Sequence, residues 1–64
     1  MIEDACNFLR REIDEKIEAQ TAALVRGTAS RDEDQTIRGL IRGLNMSRAI
    51  VDDLEDRARR IQQE

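Results

Sequence analysis

The sequence predicts an all-α fold, an antiparallel hairpin of two helices, and three observations lead to this prediction. Apolar residues recur at steps of three and four along both halves of the chain, which places them on one side of an α-helix. A short break of small residues, numbers 27–30, separates the halves. Pro is absent and Phe8 is the one aromatic residue, which disfavours strands and turn-rich folds. We expect one domain over residues 1–64, with helices at about 2–26 and 31–62.

The first helix is defined by an apolar stripe that is not a regular heptad. Two successive steps of four, from Leu9 to Ile13 and on to Ile17, make it locally an eleven-residue repeat, which suits a short bundle. Acidic residues at the start favour the positive end of the helix dipole. The stripe consists of Ile2, Cys6, Leu9, Ile13, Ile17 and Leu24, with Gln20 in its gap.

The turn carries a stop signal followed by a start signal. Gly27 is placed to end the first helix in a left-handed conformation, which costs glycine little. Ser30 and Glu33 form a capping box: the Ser30 hydroxyl accepts from the Glu33 N–H and the carboxylate reaches back. A connection this short predicts an antiparallel hairpin.

The second helix has a regular heptad stripe, which we expect to face the first helix. Ile41, Met46 and Ile50 lie beside the stripe, as do Phe8 and Val25 on the first helix. A single hairpin leaves these flanking residues exposed, whereas a second hairpin or a larger protein would cover them. The a positions are Ile37, Leu44, Val51 and Ala58, and the d positions are Leu40, Ser47, Leu54 and Ile61.

Two glycines inside this helix point to a close contact. Gly39 and Gly43 each cost up to about 1 kcal/mol relative to alanine, and small residues one turn apart form a groove for another backbone. The alternative is local tolerance or a bend. The candidate interaction residues are therefore Ile37, Gly39, Leu40, Ile41, Gly43, Leu44, Ser47, Val51 and Leu54.

Arg38, Arg42 and Arg48 lie in a window, 35–51, that contains no acidic residue. Three alternatives remain open: ion pairs with the acidic first helix, an acidic partner protein, or nucleic-acid phosphates. The net charge of −3 argues against a general nucleic-acid surface, and base stacking lacks aromatic residues.

The sequence predicts no enzyme, cofactor or metal site. Cys6 on the apolar stripe is interpreted as a small buried hydrophobe, and without histidine Ser or Cys catalysis lacks its usual base. The acidic cluster of the second helix lacks the spacing of a calcium loop and is interpreted as a solvated face. Its members are Asp52, Asp53, Glu55 and Asp56.

Chain length makes a partner the expected source of extra stability. A core of this size rarely supplies more than roughly 3–5 kcal/mol, and one cysteine cannot close an intrachain disulfide. Self-association or docking on another protein remains. No apolar run is long enough for a membrane span, and the acidic start is unlike a signal peptide. The free thiol fits the cytoplasm of the producing cell.

Two resemblances suggest what this partner is. The layout of helix, short turn and helix looks like the plasmid RNA-binding protein Rop, a dimeric four-helix bundle, which implies dimerisation and a regulator that binds nucleic acid through the arginines. The segment 27–54, with its acidic turn, residues 37–44 and then residues 49–54, resembles small helical proteins encoded among tailed-bacteriophage structural genes. That resemblance implies a minor virion component or an assembly factor that binds capsid, portal or tail protein.

Overall fold

A computed structural model of the chain describes residues 2–63 and the side chains of residues 2–62. Helix α1 spans Ile2–Arg26 and helix α2 spans Arg31–Gln63. The two helices pack against each other without strands in the described part, so the predicted all-α hairpin is confirmed. The hairpin is flat and long, with Cα extents of 52 × 16 × 10 Å.

The ion pairs between the helices define their antiparallel alignment. Arg10 pairs with Asp52, Asp14 with Arg48 and Glu3 with Arg59, and the residue numbers of each pair add to 62. A residue of α2 and a residue of α1 therefore lie at the same level along the hairpin when their numbers add to 62.

The turn has the stop and start signals that the sequence predicts. Gly27 has a φ of +101°, and its N–H donates to the Leu24 carbonyl at 3.1 Å. The Glu33 N–H donates to Ser30 Oγ at 3.1 Å. The Glu33 carboxylate reaches back to the N–H of Ala29 at 3.2 Å, one residue earlier than a capping box usually places it. The conformation of Gly27 and these local hydrogen bonds therefore end α1 and begin α2 on either side of residues 27–30.

Among the described side chains, three apolar ones are buried: Cys6, Ile37 and Val51. Cys6 is 0% exposed, as expected for a small core residue. The rest of the contact is half-buried, and it is made by Ile2, Ile13, Ile17 and Leu24 of α1 and by Ile41, Leu44 and Ala58 of α2. This thin core leaves eight large apolar residues exposed in the described part of the chain.

The expected a/d stripe of α2 is wrong in one respect: the contact with α1 uses the a and e positions. Ile41 and Glu55, both at e, are half-buried and buried, whereas Leu40 and Leu54, both at d, are about half exposed. The reason is electrostatic as well as apolar, because Arg10 of α1 holds the carboxylate of Glu55. The d positions are thereby rotated out of the hairpin.

Candidate interaction surface

Every ion pair that crosses between the described parts of the two helices lies on one broad side of the hairpin, here called the charged face. With 100° of rotation per residue, its members share one side of each helix. They are Glu3, Arg10 and Asp14 of α1 and Arg48, Asp52, Glu55 and Arg59 of α2. This face fixes how α2 is rotated about its own axis against α1.

Arg10 is the centre of the charged face. Its Nε donates to Asp52 Oδ1 at 2.6 Å and its Nη1 to Glu55 Oε2 at 3.2 Å, with a further bond to Asn7 at 2.9 Å. The hydrogen bond with Glu55, followed by that with Asp52, raises the pKa of Arg10 above its already high ordinary value. Because the pKa is raised, Arg10 stays protonated, and its contribution to stability is kept, as pH rises to the ordinary pKa of arginine. The guanidinium is therefore charged wherever the protein is studied.

Glu55 corrects the expectation that the acidic cluster of α2 is a solvated face. The residue is 7% exposed; its carboxylate accepts a hydrogen bond from Arg10 and forms an ion pair with Arg59, one turn along α2, at 3.0 Å. A buried carboxylate needs such partners, because an unpaired charge is costly away from water. The sequence feature that relates to this burial is the heptad position of Glu55, which is the e position also occupied by Ile41 and Arg48.

The opposite broad side, here called the apolar face, holds most of the exposed large hydrophobic residues. They are Phe8 and Leu9 of α1 and Leu40, Ile50, Leu54 and Ile61 of α2, between 42% and 74% exposed. Helical geometry puts Gly43 and Ser47 of α2, and Ala5, Glu12, Lys16, Ala19 and Ala23 of α1, on the same side. Grouped exposed apolar side chains are a common feature of interaction sites, so this face is the candidate interaction surface.

Gly39 and Gly43 do not serve a close contact inside the hairpin. A Cβ added to either residue would meet nothing within 4 Å, so the chain itself does not require glycine there. Ser47 lies one turn from Gly43, and its hydroxyl donates to the Gly43 carbonyl at 3.0 Å. Gly43 and Ser47 therefore form a shallow, small-residue section in the middle of the apolar face.

The three candidate arginines have different surroundings. Arg38 pairs with Asp34 at 2.8 Å and Arg48 with Asp14 of α1 at 3.0 Å, whereas the described carboxylates all lie beyond 4.0 Å of Arg42. An open groove of about 590 Å³ runs along this edge of α2, lined by Leu24, Arg38, Ile41, Arg42, Asn45, Met46 and Ala49. Ion pairing thus accounts for two of the three arginines.

The nine candidate interaction residues divide between two places. Ile37, Ile41, Leu44 and Val51 pack wholly or partly inside the hairpin, whereas Gly39, Leu40, Gly43, Ser47 and Leu54 are exposed. The inner group holds α1 and α2 together, and the outer group borders or forms the apolar face. Reasoning from the sequence grouped them because a heptad stripe does not reveal which of its edges a partner helix will cover.

The described residues carry neither a spanning segment nor a metal cluster. Over residues 2–63, neither helix combines the length and the apolar composition that crossing a membrane requires. Within the same residues, no group of three or more Cys, Asp or Glu side chains is arranged to hold a metal ion. No protein-family model, curated protein or solved structure shows a significant match to this chain.

Proposed function

We propose that this chain is a non-enzymatic interaction protein that works by helix-mediated contact with another protein through its apolar face. The observation that carries the proposal is the separation of surfaces: six large apolar side chains lie on one broad side, while the ion pairs between the helices lie on the other. Water-exposed apolar surface stabilises a complex when a partner covers it.

The finer part of the proposal concerns the kind of assembly. The resemblance of segment 27–54 to small proteins of tailed-phage structural genes supports a minor virion component or an assembly factor that contacts capsid, portal or tail protein. On this proposal the chain is present in the cytoplasm of the producing cell and in the virion. Peptide mass spectrometry of purified particles should detect it, and its absence from particles and assembly intermediates would contradict this part.

The alternative, a Rop-like regulator that binds nucleic acid, has less support. Arg38 and Arg48 already have carboxylate partners at 2.8 and 3.0 Å, which would compete with phosphates. This alternative predicts binding that weakens steeply with added salt and depends on the arginines more than on the apolar face.

A photoreactive phenylalanine derivative tests the proposed function in the producing cell. It replaces Ile50 on the apolar face in one variant and Met46 beside the groove in a control, two side chains that are 66% and 63% exposed. We expect a protein adduct, identified by peptide mass spectrometry, at position 50 and much less at position 46. Absence of any protein adduct at position 50 would overturn the proposal, and an adduct with nucleic acid at position 46 would favour the regulator.

A further inference from the structure

We infer that the partner covering the apolar face is a second copy of this chain, packed face to face across a two-fold axis that passes beside Ser47. This inference rests on the proposed function and names the partner for the same surface. The two copies would form a four-helix bundle in which α2 lies antiparallel to α2 of the second copy and α1 lies antiparallel to α1.

The size of the face fits this partner. The broad side of the hairpin measures 52 by 16 Å between Cα extremes, a flat area of about 830 Å², and a standard interface buries about 800 Å² on each partner. A second copy presents a face of the same length and width. It therefore covers the exposed apolar residues from end to end.

The exposed stripe of α2 is complementary to itself about Ser47. Leu40 and Leu54 stand seven residues to either side of Ser47, so an antiparallel copy brings the two leucines together. Under the same symmetry Gly43 lies within one residue, about 1.5 Å along the helix axis, of the level of Ile50 of the second copy. A large side chain then enters the space above a residue without one, which explains a glycine whose Cβ position is empty in the single chain.

The stripe of α1 has a matching centre. Ser47 lies level with residue 15 of α1, because the paired residue numbers add to 62. Glu12 and Lys16 flank this level, and within one chain they lie 3.7 Å apart. An antiparallel copy about this level places Lys16 of the second copy two residues, about 3 Å along the axis, from Glu12, and it places Ala19 of the second copy at the same offset from Leu9. On α1, an ion pair between copies is therefore within side-chain reach, and a small residue of the second copy lies near Leu9.

The other face-to-face arrangement lacks this complementarity. A two-fold axis parallel to the helices would lay α2 of the second copy over α1, with residues at equal levels opposed. Ile50 would then cover Glu12, which lies at its level, and Leu54 would meet Phe8. An apolar side chain over a carboxylate removes water from that charge at a cost in free energy, so the antiparallel arrangement is favoured.

Two measurements on the intact chain test the inference. Light scattering should give twice the 7.4 kDa mass of one chain, and circular dichroism should show melting that depends on concentration. Ser47→Cys should form a disulfide between copies on mild oxidation, because only side chains close to the two-fold axis meet within disulfide reach. Ala49→Cys, which lines the groove beside the charged face, is the matched control.

Cys6 is fully buried and common to both variants, so it does not distinguish them. The mass of a single chain at every concentration would overturn the inference. A linked dimer that forms equally with Ala49→Cys, or not at all with Ser47→Cys in a folded protein, would also overturn it. A monomer that still gives an adduct with a different protein at position 50 would leave the proposed function intact.

Discussion

The two broad faces of the hairpin belong to the same two helices, yet they differ in whether one chain supplies the partners for their side chains. On the charged face, carboxylates and guanidiniums form ion pairs within one chain, and Glu55 is buried by this contact. The apolar face is incomplete, since its leucines and isoleucines meet water. Polar contacts together with the buried apolar residues determine the rotation of α2, and that rotation determines which apolar residues remain for a partner.

The largest expected effect comes from the same charge placed at the two matched positions. Ile50→Asp should weaken self-association by about 100-fold or more, because a carboxylate would be buried between copies. Met46→Asp should change it little, although the two side chains are equally exposed in the single chain. Sedimentation over a dilution series measures both. Equal effects of the two substitutions would mean that the faces do not differ in use.

The next effect concerns the charged face. Arg10→Ala leaves the buried Glu55 with Arg59 alone, so it should lower the urea midpoint of unfolding. Arg48→Ala, which removes the exposed pair with Asp14, is the control and should lower it less. The decrease in the urea midpoint caused by Arg10→Ala should be the same from about pH 7 to about pH 9. Arg10 is protonated throughout this range, because its pKa is raised above it. A loss that vanished within this range would contradict the assignment.

A change in the turn should lower the stability of the whole hairpin, without distinguishing the charged face from the apolar face. Ser30→Ala removes the hydroxyl that accepts from the Glu33 N–H, which should cost about 1 kcal/mol of stability. Thr36→Ala is the control, because its hydroxyl only donates to the Asp32 carbonyl within α2. Thermal unfolding compares the two, and a cost for Ser30→Ala no larger than that of Thr36→Ala would show that the cap is dispensable.

The smallest expected effects come from alanine substitutions at the two glycines inside α2. Gly39→Ala and Gly43→Ala should each favour the helix by up to about 1 kcal/mol, since the added Cβ meets nothing in the single chain. Only Gly43→Ala should weaken self-association, because it adds a methyl group within one residue of the level of Ile50 of the second copy. Dissociation constants of the two variants, measured side by side, decide the matter. Equal constants would remove the proposed role of Gly43.

Local sequence determined the helices and the turn. Gly27 and the pair Ser30 and Glu33 act within a few residues, so their conformation and hydrogen bonds follow from the chain itself. The steps of three and four likewise place apolar residues on one side of each helix, and the burial of Cys6 followed from its place on that stripe. These properties need no knowledge of how the helices pack.

The tertiary structure decided which edge of the α2 stripe faces α1. The sequence favours the d positions, because three of the four are apolar, whereas Ile41 is the one apolar residue among the e positions 41, 48, 55 and 62. The pairs of Arg10 with Asp52 and Glu55 lie 42 and 45 residues apart in the chain, and no local pattern reveals such partners. Once these pairs form, Leu40 and Leu54 are turned outward, and an apparent core stripe becomes the apolar face.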